Sequence, residues 1–227
     1  MSTLQTLDRG LRALDVVSRN PAGISVADLA KELGVHRAIC YRIVATLEAH
    51  SLVTRAADGR VRLGIGAAVL ASRFEPHFMR GARPVLEELA EQTHATAFIA
   101  AAEGDTCVAV MVAEPRDAVL SVGYRVGSRH PLTQGASGIA ILAARPESPR
   151  DPESVRKARR DGYCVTRGEL QKGAVGVAAG IGVPENVEPG TVIERSVGVV
   201  STEGLDIDRA AAAVTDAARR LLRLVTG

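Results

Sequence analysis

The chain has 227 residues, 46% hydrophobic and 24% charged, with a formal net charge of +2. That supplies a sizeable core in one large domain or two ordinary ones, and it is too weak a positive balance to mark a nucleic-acid binder by itself. Aromatics make up only 3%, with no Trp, so the core must be aliphatic and alanine-rich, and an aromatic stacking platform for single strands is disfavoured. The first element reads as a helix, because Leu4, Leu7, Leu11, Leu14 and Val17 recur at helical spacing. Ser2 or Thr3 would cap it, and Asn20-Pro21-Ala22-Gly23 ends it. Ser25 is a good N-cap for a second helix, with Asp28 in the capping-box position. Gly34 supplies the positive φ that stops this helix. After Val35 and His36 a third helix runs from Arg37 to His50, with Cys40, Ile43, Val44 and Leu47 on its apolar face. Two short helices around a tight glycine turn form a helix-turn-helix, and the small Ala30 lets them approach. Residues 52–55 and 60–63 then flank Ala56-Ala57-Asp58-Gly59, whose Asp-Gly pair signals a hairpin. A hairpin in this place is a wing.

Residues 64 to about 73 form an Ala-rich helix, the best interdomain linker, and Pro76 interrupts helical continuity. A second domain starts near Gly81, with Pro84 in the first turn of a helix reaching Thr93. Strands are expected at 96–102, 106–113 and 119–126. Pro131 to Ala143 reads as a loop feeding a buried helix. A basic amphipathic helix covers 152–161, strands cover 173–183 and 192–200, and 207–225 is the closing helix. Hairpins alongside βα alternation predict an α+β fold with a largely antiparallel sheet.

The charge is uneven. Residues 1–66 hold nine Lys/Arg against six Asp/Glu, while the remainder holds 19 against 20. A basic head on a neutral body suggests nucleic acid, although a solvated face gives the same count. Cys40, Cys107 and Cys164 are odd in number and widely spaced, which argues against disulfides or a zinc knuckle and for a reducing cytoplasm. No apolar run approaches the ~20 residues that span a bilayer, and Met1 to Arg12 has no secretory h-region. Enzyme signatures fail. Gly135-Ala136-Ser137-Gly138-Ile139 has Ile where a nucleophile elbow needs Gly, and the run Gly173, Gly176, Gly180, Gly182 lacks dinucleotide-binding spacing. No metal-ligand spacing and no cofactor motif appears.

In sequence order, Leu7-Asp-Arg-Gly-Leu-Arg-Ala-Leu-Asp15, the Ser25…Gly34 turn, Tyr41-Arg42, Asp58-Gly-Arg-Val-Arg-Leu-Gly64, Pro131-Leu-Thr…Gly138-Ile-Ala-Ile-Leu-Ala143, Asp161-Gly-Tyr163 and Glu169…Gly173…Ala178-Ala179 resemble the IclR family of bacterial transcription regulators. The resemblance covers essentially the whole chain, and the motifs of the second half make it specific. It implies a winged helix-turn-helix over 1–63, a linker helix over 64–80, and a GAF-like α/β effector-binding and oligomerisation domain over 81–227. It also implies a homodimer or a dimer of dimers, working on double-stranded operator DNA in the cytoplasm.

A recognition helix presents its N-terminal residues to base edges. Arg37 is the residue expected to read a guanine edge. Tyr41 would touch a base or phosphate, and Arg42 a phosphate. Arg55, Arg60 and Arg62 lie on the wing, His36 caps the helix or meets a phosphate, and Ser25 completes the set. The first helix, Leu4 to Val17, would pair two chains. The resemblance further implies a small organic acid bound near Gly135, Ala136, Ser137, Thr166, Ala174, Gly176, Gly198 and Val200, its carboxylate on backbone N–H groups at a helix start. Here the sequence departs from the family. Ile139 replaces a common Lys/Arg, and Gly198 and Val200 stand where Ser residues are usual. A roomier, more apolar pocket favours an aromatic or branched acid. The alternative is a winged-helix module whose second domain binds protein and takes no effector.

Overall fold

The computed structural model describes residues 4–117, 123–182, 193–202 and 204–226. The chain divides into two compact units, Met1–Pro76 and His77–Gly227.

The first unit contains α1 (Gln5–Ser18), α2 (Val26–Leu33), α3 (Arg37–Ala49), β1 (Val53–Arg55), β2 (Val61–Leu63) and α4 (Ile65–Ser72). Ser25 caps α2, its Oγ accepting from Asp28 N at 3.1 Å and donating to Asp28 Oδ2 at 2.6 Å. Gly34 takes φ 65°, and Val35 N then donates to Ala30 O, which turns the chain into α3. The core gathers Val17, Leu29, Ala30, Cys40, Val44, Val53 and Val61. β1 and β2 pair antiparallel, and Ile24 adds a bridge to Val61. Leu4 stands at the N-cap of α1 without a side-chain cap bond, and the expected caps Ser2 and Thr3 lie outside the described residues. Of α1 only Ala13 and Val17 are fully buried, while Leu4, Leu7 and Leu11 remain exposed.

The second unit is an α+β fold. Its sheet has the order β5-β4-β3-β8-β7-β6, with every neighbouring pair antiparallel. The strands are β3 (Thr96–Glu103), β4 (Thr106–Ala113), β5 (Arg129–Pro131), β6 (Cys164–Arg167), β7 (Ala174–Ile181) and β8 (Arg195–Thr202). Helices α5 (Pro76–Thr93) and α8 (Ile207–Thr226) join the cluster on one face, where Ile99, Val177 and Val199 point. Helices α6 (Gly135–Ala144) and α7 (Glu153–Asp161) join the cluster on the other, with Phe98, Ala100 and Ala178. Burial of both faces explains why β3 is buried continuously from Thr96 to Ala101, with the apolar run Ala97–Ala102, rather than alternating. The glycines of β7 and β8 serve this packing. A Cβ at Gly180 would lie 2.6 Å from Ala140 O of α6.

Three expectations are corrected. Pro76 opens α5 rather than interrupting helix, since proline suits a first helical position. Pro84 therefore lies inside α5, on its exposed side, where the carbonyl it leaves without a donor can bond water. The expected strand 119–126 falls partly on residues 118–122, outside the described residues. Residues 123–126 are irregular, and the strand beside β4 is β5.

Candidate functional site

In the first unit α3 buries Cys40, Ile43, Val44 and Leu47 and exposes Arg37, Ala38, Tyr41, Arg42 and Thr46. Arg37 is the first residue of α3, and neither Arg37 nor Arg42 takes part in an ion pair among the described residues. The wing arginines are engaged differently. Arg55 Nε donates to Glu48 Oε2 at 3.1 Å, and its guanidinium lies 5.3 Å from the centre of the Tyr41 ring. Arg60 Nη1 donates to Gly23 O at 3.0 Å, and Arg62 pairs with Asp58 at 3.4 Å. Arg60 thus braces the turn after α1 instead of extending freely from the wing. His36 occupies the N-cap of α3 but makes no cap bond, so its imidazole does not cap. Ser25 is committed to its own capping box. Burial raises the Cys40 thiol, with Arg55 opposing weakly, which fits a packed side chain.

In the second unit six of the eight expected residues, Ala136, Ser137, Thr166, Ala174, Gly176 and Val200, line one cavity of about 250 Å³. α6 supplies the first pair, β6 and β7 the next three, and β8 the last. Gly198 does not reach the cavity. A Cβ there would meet Phe98 Cζ at 2.6 Å, Val177 O at 2.6 Å and Ala178 Cβ at 2.7 Å, so its space is already filled by the sheet and by Phe98. Ile139 is buried in the core beneath α6 and also does not line it. Gly135, the buried first residue of α6, is not among the lining residues either; it takes φ 72°, and a Cβ there would lie 2.6 Å from Leu170 Cδ1. Its N–H is not free, since it donates to Glu169 Oε2 at 2.8 Å. The first of the donors expected to hold an effector carboxylate is therefore held by a carboxylate of the chain itself.

The other lining residues come from segments without periodicity. Tyr124, Ser128 and His130 descend from the irregular stretch and β5, while Glu169, Leu170 and Gln171 come from the loop after β6. The inner end is polar and buried. His130 Nε2 lies 3.1 Å from Ser137 Oγ and 3.5 Å from Tyr124 Oη, and His130 Nδ1 lies 3.0 Å from Pro131 O. Phe98 packs against Tyr124 with ring centres 4.9 Å apart. Burial pushes the Tyr124 phenol up to about 12, helped by Cys107 nearby, and pushes the Cys107 thiol up to about 11. Both groups therefore stay neutral near pH 7. The mouth carries the charges, Arg129 and Glu169, and Arg129 is paired with Glu103. Sequence reasoning did not name Tyr124, His130 or Glu169 for this site. Glu169 lay within the family motif, but its partner is 34 positions away.

A winged helix-turn-helix unit with a separate ligand-sized cavity in an antiparallel α+β unit defines a class of regulators. The comparisons agree. Residues 6–57 match the IclR helix-turn-helix domain and residues 59–151 match the bacterial transcriptional regulator IclR C-terminal domain. The chain belongs to the IclR family. It is 31% identical over 144 residues to an HTH-type transcriptional regulator of Mycobacterium tuberculosis, covering 63% of this chain and 55% of that one. It is 25% identical to the Pca regulon regulatory protein of Pseudomonas putida, covering 78% and 69%. The first of these matches spans little more than half of the relative's length. These relatives are named as regulators, not enzymes. The crystal structure of an IclR homolog complexed with 4-hydroxybenzoate, from Microbacterium hydrocarbonoxydans, superposes with TM-score 0.78 at 22% identity, covering 97% of this chain and 99% of that one. The IclR regulator of Alicyclobacillus acidocaldarius gives 0.77 at 20% identity, covering 98% and 99%. Among the described residues no helix is long and apolar enough to cross a membrane.

Proposed function

We propose that this chain is a sequence-specific DNA-binding transcription regulator whose DNA affinity is modulated by a small organic acid. The observation that carries the first half is the outward first turn of α3, where Arg37 is exposed, in no ion pair among the described residues, and beside Tyr41 and Arg42. An arginine in that position donates two bonds to a guanine edge, and a phosphate-reading Arg42 fixes register. Residues 1–63 read DNA, 64–80 link, and 81–227 take the effector and assemble chains. Two heads on a near-palindrome multiply the few phosphate contacts of one head, so the working form is a homodimer or a dimer of dimers. The exposed leucines of α1 support that pairing. The setting is the cytoplasm, where three free thiols persist.

The second half rests on the cavity. Its walls of Phe98, Ala136, Leu170, Ala174 and Val200 suit a flat apolar body, and the complex of a relative with 4-hydroxybenzoate supports an aromatic acid as the first choice. The test is fluorescence anisotropy on the upstream intergenic DNA at two salt concentrations, without and with 4-hydroxybenzoate. Salt-sensitive, sequence-preferring binding that the acid shifts is the expected result. Equal binding to any duplex would remove the regulator reading, and specific binding that no acid shifts would leave the module without an effector.

A further inference from the structure

Resting on the cavity above being the effector site, we infer that Glu169 sets the length of ligand this site accepts, by closing the wall between it and a second cavity. The second cavity, of about 160 Å³, lies among α6, α7 and β6. Ile139, Ala158 and Cys164 give it apolar walls, with Ser154 beside them. Among the described residues the two cavities share two lining residues, Thr166 and Glu169. Thr166 is buried and fixed in the sheet, where β6 pairs it with Gly176 of β7. Glu169 is exposed and lies outside the strands, so it is the part of the wall that can withdraw.

Glu169 stands in the loop that joins β6 to β7. Gly168 N closes the base of this loop by donating to Ala174 O at 2.7 Å. From the loop the Glu169 side chain reaches across to α6, where its Oε2 accepts from Gly135 N at 2.8 Å. A carboxylate at the first N–H of a helix meets the positive end of the helix dipole. Leu170, the next residue, packs on the same glycine, since a Cβ at Gly135 would lie 2.6 Å from Leu170 Cδ1. The loop is thus seated on the start of α6 by one hydrogen bond and one apolar contact. A single hydrogen bond of an exposed side chain is modest in net strength, because water replaces it. With Glu169 in place, a ligand in the larger cavity ends at the carboxylate. With Glu169 withdrawn, the shared wall is reduced to Thr166. A longer ligand then extends toward Ile139 and Ala158, which suit an apolar second ring.

Isothermal titration of the full chain with 4-hydroxybenzoate and with 4′-hydroxybiphenyl-4-carboxylate, the same acid lengthened by one ring, tests this. Wild type should bind the shorter acid ~10-fold or more tightly, because pressing a second ring against a filled wall is overpacking. Glu169→Ala removes the side chain and should bring the ratio to ~3-fold or less. Glu169→Asp keeps the charge but loses one methylene of reach, and should fall between. Glu169→Gln keeps the length and an accepting oxygen. It should retain the wild-type ratio even as the loss of a negative charge strengthens both acids. This pattern separates closure from charge, and a ratio cancels any general loss of stability in a variant. A ratio unchanged in Glu169→Ala would overturn the inference and leave the effector reading intact. So would a wild type that takes both acids equally, or a Glu169→Gln ratio that falls as far as that of Glu169→Ala. Binding of neither acid by wild type or any variant, with DNA affinity unmoved, would overturn both.

Discussion

Arg55 of the wing lies over the Tyr41 ring of the recognition helix, 5.3 Å from its centre, and is tied at the same time to Glu48 of that helix. The wing is thereby fixed to α3, the element proposed to enter the groove. Arg55 holds its own counter-ion, whereas Arg37 has no ion-pair partner among the described residues, and the two should fail differently. Arg37→Ala should lower operator affinity by roughly 1–3 kcal/mol and relax one base position. Arg55→Ala should weaken operator and random duplex alike and flatten the salt slope by about one. Anisotropy titrations at several salt concentrations separate the two patterns. If Arg37→Ala leaves operator affinity intact, α3 does not read bases through its first turn.

Leu4, Leu7 and Leu11 are 77%, 58% and 58% exposed along one side of α1, although α1 buries only Ala13 and Val17 in its own unit. An apolar stripe left in water on an amphipathic helix marks a surface that another molecule covers. With a second copy of the chain as that partner, Leu7→Asp should lower the mass measured by light scattering and weaken operator binding together. A wild-type chain that is monomeric at micromolar concentration would rule the pairing out.

Much of the first unit is legible in the sequence because its determinants are local. Ala30, Gly34 and Val35 lie within six positions, and the Asp58-Gly59 turn sets its own hairpin. In the second unit legibility declines with sequence separation. β5 and β6 have three and four residues, too few to show a period. Gly198 reads as vacant space in the sequence, yet Phe98, a hundred positions earlier, fills it. Gly135 offers a free N–H until Glu169 returns from beyond α7 to take it. The polar end of the cavity is assembled from Tyr124 and His130, which stand in irregular or very short segments, so no pattern announces them.

The packing around Gly198 gives a stability prediction. Three atoms, one of them a backbone oxygen, lie under 3.0 Å from where a Cβ would sit. Gly198→Ala should destabilise the second unit by about 1–3 kcal/mol through overpacking, a Tm loss of about 2–4 °C per kcal/mol in a chain of this size. Gly176 is the control. Its nearest neighbours, Ala136 Cβ and Thr166 Oγ1, are both at 3.4 Å, so Gly176→Ala should cost less while narrowing the cavity. Equal Tm losses in the two variants would show that Gly198 is not the tighter site.

The buried thiols make stability depend on alkaline pH. Burial pushes Cys164 from 9.0 up to about 12, with Glu169 adding to the shift, and pushes Cys107 up to about 11. Tyr124 moves in the same direction, to about 12. Each folded-state value lies above the unfolded one, so between them the folded chain holds protons that the unfolded chain has released. Unfolding stability then decreases as pH rises. The contribution is complete below pH 9 and is lost progressively as pH climbs from 9 through 11 and 12. Tm measured in steps over this range should therefore fall, and Cys164→Ala with Cys107→Ala should make the fall shallower. Iodoacetamide gives a second readout, because a neutral buried thiol is a poor nucleophile. At pH 8 Cys107 and Cys164 should resist alkylation in the native chain and react on unfolding. An identical alkaline slope in the double variant, or fast native alkylation of either cysteine, would mean that these thiols are not held neutral by burial.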